Sequence, residues 1–89
     1  METIYKYPLE LKDDQTIEVP QGSKVLTVQV QDGKPCLWVL ISDSEFKSIR
    51  YIEMFGTGHS IDRGERKYVG TFQLPEKGLV FHVFEFTPF

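Results

Sequence analysis

The segment that most restricts the fold is KVLTVQVQ-DG-KPCLWVLI, residues 24–41. Two runs rich in β-branched residues flank Asp32-Gly33. A two-residue hairpin loop needs positive φ at both central positions, and Asp-Gly supplies that at low cost. The turn sets Gln31 opposite Lys34, Val30 opposite Pro35, Gln29 opposite Cys36, Val28 opposite Leu37 and Thr27 opposite Trp38. Residues flanking such a loop form a hydrogen-bonded pair, so Val30 and Pro35 form a non-hydrogen-bonded one and the proline loses no ladder bond. Alternation then sorts the side chains by face. Leu26, Val28, Val30, Leu37, Val39 and Ile41 make a wholly aliphatic face, expected to be core. Val25, Thr27, Gln29, Cys36, Trp38 and Leu40 make a mixed face. As packing, that face is a second, looser layer or an oligomer contact. As function, Trp38, Thr27 and Gln29 form a ligand floor or an interface hot spot.

Period-two alternation continues along the chain, punctuated by Gly, Pro and Asp. It predicts seven strands, at about 3–9, 15–19, 24–31, 35–42, 48–56, 67–74 and 79–87. No helix is expected beyond one turn at 43–47, capped by Asp43 or Ser44. Asp13-Asp14 is turn chemistry between strands. The last strand, LVFHVFEF, is apolar on both faces, the mark of a central strand covered twice. The fold class is therefore all-β: a small antiparallel β-sandwich or partly open barrel of about seven strands, forming one domain over 1–89. A chain of 89 residues buries only roughly 60–65% of its unfolded surface. Its core must use large side chains, and seven Phe, four Tyr and one Trp provide them. Pairing of exposed edges with another copy would add buried area, so a homo-oligomer is expected.

The formal net charge of −3 argues against bulk nucleic acid as a partner. The charge is uneven. Residues 1–20 set Lys6 and Lys12 against Glu2, Glu10, Asp13, Asp14 and Glu18. Residues 47–67 set Lys47, Arg50, Arg63, Arg66 and Lys67 against Glu53, Asp62 and Glu65, a basic excess. Cys36 is the single cysteine, which excludes a disulfide scaffold and fits a reducing cytoplasm. The amino terminus lacks the layout of a secretory leader, and no apolar run approaches the roughly 18 residues of a membrane span. A cytoplasmic location without membrane contact is expected.

Catalytic constellations are weak. His59, Ser60 and Asp62 crowd one short loop, whereas the members of a triad converge from separate elements. Two histidines 23 positions apart and one cysteine match no zinc spacing. His82, with Val80 and Phe84 on its face, is expected to be a hydrogen-bonded core residue. No enzyme activity, metal or cofactor is expected. The remaining candidate is Phe55-Gly56-Thr57-Gly58-His59, followed by Arg63 and Arg66. It leads into a strand rather than a helix and lacks the P-loop spacing, which excludes P-loop and Rossmann sites. Two readings stay open. Gly56 and Gly58 let the strand kink at a sandwich corner. Alternatively their backbone N–H groups, with Thr57, His59, Arg63 and Arg66, hold an anion, with Trp38 as a stacking platform.

Ile4-Tyr5-Lys6-Tyr7, Gln15-Thr16-Ile17-Glu18-Val19-Pro20, Val28-Gln29-Val30-Gln31, Lys34-Pro35-Cys36-Leu37-Trp38, Phe55-Gly56-Thr57-Gly58-His59, Tyr68-Val69-Gly70-Thr71-Phe72 and Val80-Phe81-His82-Val83-Phe84-Glu85, in that order, resemble a family of small proteins of unknown function from tailed bacteriophages and prophage-bearing bacteria. The resemblance covers nearly the whole chain. It implies a phage-type accessory protein in the cytoplasm of a bacterial host, and transfers no active site. By analogy of context, the expected function is to sequester a small anionic, nucleotide-like molecule such as a host immune signal. The expected site is Trp38, Phe55, Gly56, Thr57, Gly58, His59, Arg63 and Arg66. The alternative is a protein–protein module: a phage structural accessory or a direct inhibitor of a host protein.

Overall fold

The computed structural model describes residues 1–87. Seven strands occur in order: β1 (Thr3–Pro8), β2 (Asp14–Pro20), β3 (Lys24–Gln31), β4 (Lys34–Ile41), β5 (Lys47–Gly56), β6 (Glu65–Leu74) and β7 (Leu79–Thr87). A single 3₁₀ turn, Pro75–Lys77, joins β6 to β7. The strands form two antiparallel sheets, ordered β1-β4-β3 and β2-β5-β7-β6. The result is a β-sandwich with no closed barrel. One side is shut where β3 lies against β6, with Gly70 so near Val28 that a Cβ there would meet Val28 Cγ1 at 3.0 Å. On the other side β1 and β2 each have one hydrogen-bonded neighbour and one free edge.

The Asp32-Gly33 turn takes positive φ at both residues, and the expected register holds from Gln31↔Lys34 to Thr27↔Trp38. It then breaks. A bulge between Val25 and Thr27 adds one residue and reverses the alternation beyond it. Val25 therefore turns into the core, while Leu26, expected there, is 40% exposed. Val30 is also more exposed than expected, because it borders an open cleft with Leu74, at the end of β6, and the Pro75–Lys77 turn. The segment 43–47 makes no helical turn; the Ser44 hydroxyl instead accepts a hydrogen bond from Phe46 N–H.

The core between the sheets contains Ile17, Val19, Val25, Val28, Leu37, Val39, Ile52, Met54, Phe72 and Val83. Full burial of a side chain of this kind is worth about 1.5–3 kcal/mol. Arg50 and Glu85 also face inward. They are bonded to each other, and Arg50 Nη1 donates to the Ser23 carbonyl at 2.6 Å. β7 is central, between β5 and β6, as its two apolar faces implied.

Candidate functional site

β5 and β6 both run antiparallel to the strand between them, so they are parallel to each other. Parallel strands need a crossover, and residues 57–64 supply it. The crossover starts as a tight turn. His59 N–H donates to the Gly56 carbonyl at 3.1 Å, and Gly58, third in the turn, has φ +87°, the position where such turns need glycine. The segment then returns from the Phe81 row of the sheet to the Thr87 row, about 20 Å at strand spacing. Six residues, 59–64, cover about that distance when extended, so the segment is a nearly taut strap.

The strap crosses the outer face of the four-stranded sheet. A Cβ on Gly64 would lie 2.9 Å from the Phe86 ring. Asp62 accepts twice from Arg66, at its carbonyl and at Oδ1, both at 2.8 Å. Arg66 Nε donates to Glu53 Oε1 at 2.5 Å. The same guanidinium lies over the Phe55 and Phe86 rings, 5.5 and 5.1 Å from their centroids. The Arg66 side chain is only 9% exposed. Its bond to Glu53 raises its pKa further above the ordinary arginine value, with Asp62 adding to the effect and desolvation opposing it. Arg66, expected as a phosphate partner, is thus a clamp between strap and sheet, neutralised by two carboxylates. Phe55 belongs to the same clamp. Within the His59-Ser60-Asp62 string, Asp62 Oδ1 bonds Arg66, while the His59 ring lies against Gly56.

Thr57 and His59 diverge. The His59 ring lies against Gly56, where a Cβ would come within 2.8 Å of it. Gly56, Thr57 and His59 line an open cleft of about 370 Å³ with Gly78–Phe81. Thr57 Oγ1 instead shares a 2.7 Å hydrogen bond with His82 Nε2, and Thr71 Oγ1 shares one of 2.9 Å with His82 Nδ1. Tyr68 extends this chain to Thr71 at 2.6 Å. His82 is hydrogen-bonded as expected but is not in the core: it faces outward from β7, half-buried. Arg63 is exposed in the strap. Among the described residues, no three His, Cys, Asp or Glu side chains converge as metal ligands.

Trp38 stands apart from all of these. It is on β4, in the other sheet, and points away from Leu37 and Val39, which fill the core. The expected stacking platform and the expected glycine loop therefore occupy opposite layers of the sandwich and cannot hold one small ligand between them. What the register does gather around Trp38 is a different set. Directly paired residues project to one face, so Ile4, Lys6 and Pro8 of β1 join Lys34, Cys36, Trp38 and Leu40 of β4 and Lys24, Thr27 and Gln29 of β3. Lys6 Nζ donates to Gln31 Oε1 at 2.6 Å. Cys36, paired with Pro8 on one side and Gln29 on the other, is buried although it is on an outward face. Ile4 is 55% exposed, while Trp38 and Leu40 are half-buried beside it. The hairpin register placed Trp38 on this face from sequence; the addition of Ile4 and Lys6 depends on β1 pairing with β4, which carries no local signal.

Residues 1–88 match the family described as "Domain of unknown function (DUF7352)", and the chain belongs to it. No curated protein and no solved structure matches the chain.

Proposed function

We propose that this DUF7352 chain is a non-catalytic interaction module that binds a partner protein through the outer face of its three-stranded sheet. The carrying observation is the apolar patch of Ile4, Trp38 and Leu40 on that face, with Ile4 more than half exposed. A tryptophan set among aliphatic neighbours on an outward sheet face has the composition of an interface anchor. A non-catalytic role agrees with the contacts of His82, whose two ring nitrogens meet the hydroxyls of Thr57 and Thr71. The group at His82 Nδ1 is the neutral Thr71 hydroxyl, which cannot stabilise an imidazolium as a carboxylate does. The phage-type setting, with a host protein as target, rests on the sequence resemblance.

The test is a photo-crosslinking residue at position 4, compared with one at Ile49 on the opposite outer face, in cells that encode the protein. A single stoichiometric protein adduct from position 4 and none from position 49 is expected. No adduct, or equal adducts from both, overturns the reading.

A second reading keeps the small anionic, nucleotide-like ligand. It is favoured by the cleft between Gly56–His59 and Gly78–Phe81, with Arg63 in the strap as the cation. Thermal shifts with cyclic and ADP-ribose-type nucleotides, abolished by Arg63→Ala, would select it.

A further inference from the structure

We infer that the outer face of the three-stranded sheet docks an acidic protein segment carrying apolar side chains, an inference that rests on the interaction reading above. The chain as a whole has net charge −3, yet this face is cationic. Its strand positions hold Lys6, Lys24 and Lys34 and no Asp or Glu. Among the described residues none of the three lysines enters an ion pair. Glu2 and Asp32 stand beyond the strand ends. On the opposite outer face Arg66 and Glu53 neutralise each other, which leaves Asp14 and Glu18 against Lys47.

The lysines frame the apolar patch. Lys24 is paired with Leu40 and Lys6 with Trp38, while Lys34 lies four positions along β4 from Trp38. From the Leu40 row to Lys34 is about 20 Å at strand spacing, the reach of a short extended segment. Its apolar side chains would meet Ile4, Trp38 and Leu40, and its carboxylates the flanking ammonium groups. A second copy fits poorly, because a two-fold contact through this face sets lysines against lysines. Single-stranded nucleic acid also fits poorly. Such surfaces stack successive bases on several rings, whereas among the strand positions of this face Trp38 is the only aromatic residue; Tyr5 and Tyr7 alternate to the other side of β1.

Trp38 is the only tryptophan, so its emission reports directly on this face. The probes are a short peptide alternating Glu and Leu, its Lys–Leu and Ser–Leu counterparts, and oligothymidylate. The Glu–Leu peptide is expected to shift Trp38 emission to the blue saturably, with an affinity that falls steeply with salt. Lys24→Glu and Lys34→Glu, separately and together with Lys6→Glu, should weaken it, the triple change by about tenfold or more. Ile4→Ser should weaken it while leaving the charge preference intact. Equal binding of the Glu–Leu and Ser–Leu peptides, with the reversals silent and Ile4→Ser disruptive, overturns the acidic partner and leaves the interaction reading standing. No shift with any peptide, or oligothymidylate binding as tightly as the Glu–Leu peptide, also overturns it; the adduct from position 4 then decides the interaction reading separately.

Discussion

The guanidinium of Arg66 lies 5.1 Å from the ring centroid of Phe86 and is bonded to Glu53 beneath the 57–64 strap. One side chain thus performs three tasks: it covers two aromatic rings, satisfies a sheet carboxylate and anchors Asp62. Arg66→Met keeps apolar cover over Phe55 and Phe86 and removes every bond to Glu53 and Asp62. The strap should then open locally, because short exposed segments unfold independently of the core once their tethers are lost. Trypsin cleavage after Arg63 should accelerate in the variant far more than global unfolding does. An unchanged cleavage rate would remove the clamp role. Glu53 raises the pKa of Arg66 above its unfolded value, so the stability linked to titration of Arg66 itself is present below the ordinary arginine pKa and is lost as pH rises through the raised one.

Local signals carried the hairpin and missed the strap. Asp32-Gly33 and the alternation around it contain the register of β3 and β4, because turn geometry and pleat act over neighbouring residues. The bulge that exposes Leu26 has no such mark: Val25-Leu26-Thr27 alternates as well in one phase as in the other. β7 was legible as a central strand from its two apolar faces. That β5 and β6 flank it, and so must be joined by a crossover, follows from strand order, which no local pattern encodes. The sequence therefore reads Arg66 as a phosphate partner, although Glu53, which bonds it, is only 13 positions away. The hairpin register places Trp38 on its face, but which sheet holds the glycine loop depends on strand order, so the two are not brought together.

Arg50 and Glu85 are inward-facing and mostly shielded, with side chains 22% and 14% exposed. Glu85→Ala leaves the Arg50 charge in place with only the Ser23 carbonyl as partner. Loss of one member of a shielded pair costs about 3–5 kcal/mol when fully buried, and partial exposure lowers the expectation to about 2 kcal/mol. The double change Arg50→Met/Glu85→Leu should recover most of that loss, since apolar replacement of both partners is often neutral. Urea unfolding of the two variants provides the comparison. A double variant less stable than Glu85→Ala would show that the pair contributes net stability.

Gly70 of β6 lies against Val28 of β3 on the closed side. Gly70→Ala places a methyl group 3.0 Å from Val28 Cγ1 and 3.7 Å from the Val28 backbone nitrogen. The sheets must shift or Val28 must leave its rotamer, at a cost of about 1–3 kcal/mol. Val28→Ala removes the clashing methyl groups and leaves its own cavity. The two changes together should therefore cost less than the sum of each alone, by about 0.5 kcal/mol or more. Strict additivity in denaturant unfolding would mean that the closed side is looser than the Gly70–Val28 approach implies.

Gly56 and Gly58 look equivalent in the string FGTGH, yet their substitutions should differ. A Cβ at Gly58 meets nothing within 4 Å, but the residue sits at φ +87°. Gly58→Ala is therefore strained by backbone conformation alone, at about 1–2 kcal/mol. A Cβ at Gly56 would lie 2.8 Å from the His59 ring, but φ there is ordinary and His59 is exposed and free to swing away. Gly56→Ala should cost less than Gly58→Ala, and His59→Ala should cancel the Gly56→Ala effect without touching that of Gly58→Ala. Thermal midpoints of the three single variants and of the two double variants that add His59→Ala decide the matter. If Gly56→Ala proves the costlier change and His59→Ala fails to relieve it, Gly56 is held by something other than the His59 ring, and the cleft it shares with Thr57 and Phe81 becomes the place to look for a bound ligand.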